Sequence, residues 1–337
     1  MYIFYNMRHL ESGLLELDSV DKKTLHELDL DARMPISKIA KNLRISRVVS
    51  EYRISKMQET GLIRAFSSMM DPCKFGFSSW KVYLRFHNMK QGIEKKMIDY
   101  LVQNNKVWWV VKCYGKFDLL YSVFAESFYE FNEVINKFHE LFGEYILDES
   151  INNHLEPQYF SRGYLTEKPP EVLCEPFMKK PVKEKIDETD ISIMKELGKN
   201  CRIPLTVLAS KLGITPRIAS YRIKELMEKK IIVFNRLSLD VNKLGMDFYK
   251  SLLYLKNIDA ENFEKLVAYC RQNKFINECV RSVGEWQMEI ELEVNDFKQF
   301  NEIMDDMKIN FPNLIIRTEP LLLHKEYKSE FNFLDYL

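Results

Sequence analysis

The feature that most restricts the fold of this chain is an internal repeat. Shifted by 169 positions, residues 18–76 lie over 187–245 without a gap, and 17 of the 59 positions are identical. The identities include Asp18/Asp187, Asp21/Asp190, Arg33/Arg202, Pro35/Pro204, Tyr52/Tyr221, Arg53/Arg222, Asp71/Asp240 and Gly76/Gly245. The same offset goes on to pair Gly115/Gly284, Phe128/Phe297, Phe131/Phe300 and Asn132/Asn301. One register held this far makes the repeat unit a whole two-part half. A chain of 337 residues has room for several domains, each with its own core.

Each half opens with a helical trio. Residues 21–30 and 190–199 read as first helices, with acidic residues in the opening turn where the helix dipole favours them. Residues 37–43 and 206–212 are second helices. Gly213 suits the tight turn that follows; Arg44 stands in its place in the first half and must adopt a left-handed conformation or another turn. Segments 62–70 and 231–239 read as strands and are expected to form a small wing in each half. The remainder of each half alternates strand, helix, strand, strand, helix, strand. The expected class is α+β: two repeats of a winged helix-turn-helix followed by a ferredoxin-like βαββαβ domain. The expected organisation is an N-terminal extension (1–17), winged helix-turn-helix 1 (18–76), αβ-sandwich 1 (77–165), a linker rich in Pro, Lys and Glu (166–185), winged helix-turn-helix 2 (186–245), αβ-sandwich 2 (246–326) and a tail (327–337). At about 3.1 Å per residue the linker is long enough for the second half to fold back on the first.

The third helix of each trio carries the functional signal. Ser46 and Thr215 are N-cap residues, since a hydroxyl accepts from the free N–H groups of the first turn, and Pro216 sits where its missing N–H costs nothing. Ser50, Ile54 and Met57, like Ala219, Ile223 and Leu226, recur at i, i+4, i+7 and make a narrow buried stripe. The other face carries Arg47, Val48, Tyr52 and Arg53, or Arg217, Ser220, Tyr221 and Arg222. A helix with a small buried residue and an outward Arg/Tyr face suits the major groove of duplex DNA. The alternative for these residues is a solvated face with surface ion pairs, and Arg53 and Arg222 can instead brace the first helix through Asp21 and Asp190. Lys38 and Arg64 are phosphate-contact candidates, which position without specifying. Net charge is zero, yet residues 38–64 carry seven Lys/Arg against two Asp/Glu, and 207–233 six against two. Two basic islands in a neutral chain are the local footprint that matters for a nucleic-acid partner.

Other classes lose support. The six cysteines never form a CxxC pair and read as reduced core thiols. The histidines do not cluster, so neither a metal site nor a cofactor is expected. No signal-peptide pattern and no apolar run of membrane-spanning length is present, which points to a cytoplasmic protein.

Taken together, Asp18-x-x-Asp21, Asp31-Ala32-Arg33, Ala40, Ile45-Ser46, Arg53-Ile54, Gly61-Leu62-Ile63, Asp71-Pro72 and Phe75-Gly76 resemble the Lrp/AsnC transcription regulators of bacteria and archaea. The resemblance covers 18–155 and, more loosely, 187–323. It implies a winged helix-turn-helix, a dimerising αβ-sandwich, double-stranded DNA as partner and an amino-acid effector. The tandem fusion departs from the family pattern: one chain can supply an intramolecular pseudo-dimer, with further homodimerisation open. Lys230-Ile231-Ile232 replaces the Gly-Leu-Ile lead. The family's effector turn, glycine-x-x-aspartate, is kept in Gly115-Lys116-Phe117-Asp118, whereas Gly284-Glu285-Trp286-Gln287 has lost the carboxylate. Effector candidates are therefore Gly115, Asp118 and Gly284; the competing reading is a tight hairpin with a capping aspartate.

The expected function is thus a sequence-specific DNA-binding transcription regulator with two recognition helices per chain, not an enzyme. Two alternatives stand beside it. Sirohaem decarboxylases resemble the same plan, but their sandwich carries His and Arg near the middle strands, and residues 107–117 here hold no His. An architectural DNA- or partner-binding protein that has lost specific readout is the other.

Overall fold

The computed structural model describes residues 13–330 together with Leu334 and Asp335. Most of the expected N-terminal extension, 1–12, and residues 331–333, 336 and 337 of the tail lie outside them.

The first trio is α1 (Ser19–Leu30), α2 (Ile36–Leu43) and α3 (Arg47–Glu59). Asp18 caps α1 in a capping box with Asp21, so two otherwise orphaned N–H groups are satisfied reciprocally. Arg44 takes the left-handed conformation, φ +55°, at the tight turn between α2 and α3. Strand β1 (Ile63–Met70) follows, then β2 (Ser78–Phe86), α4 (Ile93–Gln103), β3 (Val107–Gly115), β4 (Leu119–Ala125), α5 (Phe128–Phe142) and β5 (Ile146–Tyr159). The second half repeats the plan: α6 (Glu188–Lys199), α7 (Leu205–Leu212), α8 (Pro216–Glu228), β6 (Ile232–Leu239), β7 (Asp247–Leu255), α9 (Ala260–Cys270), β8 (Ile276–Val283), β9 (Met288–Val294), α10 (Phe297–Asn310) and β10 (Ile315–Ser329). Lys230 also adopts a positive φ, +55°, where the first half places Gly61 at +71°.

The two sandwich domains share one sheet. In each, the strand order is the ferredoxin-like one, β5-β2-β4-β3 and β10-β7-β9-β8. Edge strand β3 pairs antiparallel with β10, and β5 with β8, closing an eight-stranded barrel. Closure removes the exposed strand edges that each half would present alone. The helices of each half pack their apolar faces on the outside of the barrel, Met97, Leu101, Phe131 and Phe138 in the first and Leu266, Phe300 and Met304 in the second.

The wing strand of each head finds its partner in the other head. Strand β1 of one head pairs with β6 of the other along Ala65↔Ser238 to Met69↔Phe234, so a single antiparallel ribbon joins the heads. Reading residues 62–70 and 231–239 as strands does not name their partners, and the offset placed both strands at the same point of the repeat.

Residues 166–185 are extended but lie against the molecule. Val182 and Glu184 donate to the carbonyls of Cys73 and Lys74, and Phe177 and Met178 are buried. All six cysteines are buried as free thiols. No helix among the described residues is long and apolar enough to cross a membrane.

Candidate nucleic-acid interface

Helices α3 and α8 form the way their sequences indicate. Ser46 Oγ accepts from the Val49 N–H at 3.1 Å and Thr215 Oγ1 from the Ile218 N–H at 3.2 Å. Ser50, Ile54 and Met57 turn inward on α3, and Ala219, Ile223 and Leu226 on α8. Their outward faces are bare. Val48 is 73% exposed, Tyr52 64% and Tyr221 60%. Arg47, Arg217 and Ser220 are exposed on the same faces, and Lys38 is exposed on α2. Among the described residues Arg47 makes only an i,i+4 pair with Glu51 at 3.2 Å, a contact worth about a few tenths of a kcal/mol and readily exchanged for a phosphate.

The expected set divides in two. Arg53 and Arg222 are engaged within their own heads. Arg53 Nη1 lies 2.8 Å from Asp18 and 2.6 Å from Asp21; Arg222 Nη1 lies 2.6 Å from Asp187 and 3.2 Å from Asp190. Each ties the recognition helix to the capping box of the first helix. Backbone N–H donors at the cap, with the arginine, hold the Asp18 and Asp187 carboxyls below the ordinary range. Arg64 is also engaged, 3.0 Å from Asp240 on the ribbon. Lys38, Arg47, Val48, Tyr52, Arg217, Ser220 and Tyr221 remain as the outward set.

Positions 115, 118 and 284 shape turns and contacts between the halves. The Asp118 carboxylate accepts from the Phe86 N–H at 2.8 Å. Gly115 has φ +144°, and a Cβ there would collide with the Pro320 carbonyl; one at Gly284 would collide with Asn152. Between the two turns, Lys116 bonds Glu285 and Tyr254.

Sequence reasoning missed how the heads are locked. Arg33 Nη1 donates to the carbonyls of Cys201 and Ile203, and Arg202 Nη1 to those of Ala32 and Met34 at 2.7 and 3.0 Å. The identity Arg33/Arg202 at the repeat offset was the available signal. Ala32 N–H donates to Asn235 and Cys201 N–H to Phe66, so each head is also hydrogen-bonded to the opposite strand of the ribbon.

The geometry is that of two outward helices on rigidly coupled heads, and the comparisons agree with it. The winged helix-turn-helix DNA-binding family matches residues 186–233. An HTH-type transcriptional regulator of Pyrococcus abyssi is 30% identical over 129 residues, which cover 38% of this chain and 86% of the relative. The chain belongs to the Lrp/AsnC family of HTH-type transcriptional regulators. Another such regulator, from Pyrococcus furiosus, is 28% identical over 147 residues, 43% of this chain and 94% of the relative. These relatives have the length of one half. A solved structure that spans both halves is that of the siroheme decarboxylase NirDL, with a TM-score of 0.60 at 13% identity, covering 95% of this chain and 97% of that one. At that identity the likeness is one of fold: tandem heads on a shared sheet. As a family member the chain is a DNA-binding transcription regulator.

Proposed function

We propose that one chain supplies both DNA-reading heads of a regulator that its single-half relatives would need two chains to assemble. The observation that carries this reading is the pair of outward faces on α3 and α8, held in a fixed relation by the β1–β6 ribbon and the arginine exchange. Recognition helices on coupled heads enter successive major grooves about 34 Å apart on one face of the duplex. The arginines and lysines contact phosphates and base edges, so affinity falls steeply with salt. The outward residues differ between heads: Val48 and Glu51 in one are answered by Arg217 and Ser220 in the other. The two half-sites are therefore unlike.

The test is a mobility shift on genomic fragments at graded salt, followed by footprinting of a selected duplex. Two protected half-sites of different sequence, one helical turn apart, are expected. No salt-sensitive duplex binding at low salt would sink the reading, and uniform coating in place of a footprint would favour an architectural protein.

A second reading rests on the whole-chain likeness to the siroheme decarboxylase. It predicts that added haem-type pigment binds the protein with a shifted absorption spectrum. An unshifted spectrum leaves the regulator reading alone.

A further inference from the structure

The two heads are related by an approximate twofold axis. In the ribbon Ser67 pairs with Arg236, its own counterpart at the offset of 169, so the axis passes through that pair. The arginine exchange obeys the same relation: Arg33 donates to Cys201 and Ile203, and Arg202 to Ala32 and Met34, the residues that correspond to them. Residues that correspond at the offset therefore meet equivalent points of two half-sites when one duplex lies across both heads.

Within each recognition helix the buried residue sets which side chains face outward. Ser50 and Ala219 are fully buried. Two residues along an α-helix is a rotation of about 200°. Val48 and Tyr52 thus stand opposite Ser50, and Arg217 and Tyr221 opposite Ala219, and all four are exposed. The caps at Ser46 and Thr215 put Val48 and Arg217 in the first turn, the end that a helix-turn-helix head presents to base edges. These two residues correspond at the offset. The position is the same and the chemistry is not. Tyr52 and Tyr221 are identical, so both half-sites share what the tyrosines read. Val48 has no donor or acceptor, and the feature of the major groove that complements it is the thymine 5-methyl group. A hydrogen-bonding base edge set against it would lose water without a replacement partner. Arg217 instead carries a planar fork of donors that matches O6 and N7 of guanine.

We propose that Val48 reads a thymine methyl in one half-site and that Arg217 reads a guanine at the corresponding position of the other. The inference deepens the DNA-binding reading and rests on it. The operator is then directional. The paired heads seat on it in one orientation, because turning the chain end for end sets Arg217 against thymine and Val48 against guanine.

The experiment selects duplexes from a random library with the full chain, then measures affinity by mobility shift after single-base changes in the selected duplex. A thymine in one half-site and a guanine at the dyad-related position of the other are expected. Replacing that thymine with uracil removes only the methyl; it should weaken the parent about fourfold and have a smaller effect on Val48→Ala. Replacing the guanine with 7-deazaguanine removes N7; it should weaken the parent about tenfold and leave Arg217→Ala unaffected. Val48→Arg should select guanine in both half-sites. Both side chains are exposed, so unchanged melting curves in the variants establish that folding is intact. The assignment is overturned by the same base at the two positions in the parent's duplex, by base effects as large in the variants as in the parent, or by a folded Val48→Arg protein that still selects thymine. Each of these outcomes leaves the DNA-binding reading standing, since a duplex has been selected. An Arg217→Ala loss that is equal on every sequence assigns that arginine to a phosphate and overturns its half of the proposal. No duplex selected at low salt overturns the inference and the DNA-binding reading together.

Discussion

Arg33 and Arg202 exchange places: each guanidinium donates to the backbone carbonyls that flank the other. Arg33 reaches Cys201 and Ile203, and Arg202 reaches Ala32 and Met34. The loop after the first helix of each head therefore serves as the acceptor for the other head. Burial lowers both arginines' pKa below the usual value but leaves them charged at any physiological pH. The exchange joins the two heads to each other.

Arg202→Ala strips two carbonyls of a charged donor. Unfolding free energy should fall by about 2 kcal/mol, as read by denaturant titration. Arg202→Lys should recover little, because a point charge cannot reproduce the fork. In mobility shifts the variant should also tolerate half-site spacings that the parent rejects. Full stability in Arg202→Ala would show that the ribbon alone holds the heads.

The recognition helices separate readers from braces. Arg217→Ala and Tyr221→Ala should each weaken DNA binding about tenfold, the scale of one lost base or phosphate contact, with an unchanged melting temperature. Arg222→Ala should lower the melting temperature, since it severs α8 from Asp187 and Asp190, and weaken DNA binding only through that loosening. Equal melting temperatures for Arg217→Ala and Arg222→Ala would contradict the division.

The helices, their caps and the tandem plan were legible because those signals are local: a hydroxyl at the cap, an apolar stripe at i, i+4, i+7, and a fixed offset. The ribbon was not, since β1 and β6 carry no mark of their partner. Strand β9 misleads more sharply. Met288-Glu289-Ile290-Glu291-Leu292-Glu293-Val294 alternates as a half-solvated strand should, yet all seven residues are buried. The face that sequence assigns to water looks into the barrel, where Lys81 and Lys250 from the two halves meet it. For Arg53 and Arg222 the sequence left both roles open, because nothing in it says which of two neighbours, DNA or the first-helix aspartates, an arginine will take.

The barrel interior makes stability depend on pH in a defined direction. Burial and the neighbouring Glu291 carboxylate push the Glu278 carboxyl up to about 8, while Lys250 and Lys81 oppose that rise. The folded protein therefore holds a proton that the unfolded chain releases near 4.5. The stability this contributes is complete below pH 4.5 and is lost as pH rises through 8. Glu278→Gln keeps a neutral group of the same shape, so denaturant unfolding should lose this decline between pH 5 and 8. His154 works in the opposite sense at the acid end. Burial pushes it down to about 4, so it is neutral at pH 7, and the unfolded chain binds its proton first as pH falls below 6.5. Stability should drop between pH 6.5 and 4, and His154→Gln should reduce that drop. An identical pH profile in both variants and the parent would refute the assignment.

Glu289 is held by residues of both halves. Its carboxylate is fully buried and receives Lys81 Nζ at 3.2 Å, His154 Nε2 at 2.9 Å and the Tyr83 hydroxyl from the first half. From its own half it receives Lys250 Nζ at 2.9 Å and Trp286 Nε1 at 2.9 Å. The offset position in the first half is Leu120, so this anion exists once per barrel. Removing one member of a buried charged network leaves the others uncompensated, and Glu289→Leu should cost about 3–5 kcal/mol in denaturant titrations. The same asymmetry should disfavour like pairing. Two second halves would bury Glu278, Glu289 and Glu291 twice against two copies of Lys250, whereas two first halves would bury Lys81 twice with Leu120 in place of its carboxylate. Halves 1–165 and 186–337, expressed apart, should therefore form a one-to-one complex on mixing and no comparably stable complex with themselves. Sedimentation analysis reads the outcome, and a second-half homodimer as stable as the mixed complex would remove Glu289 from this role.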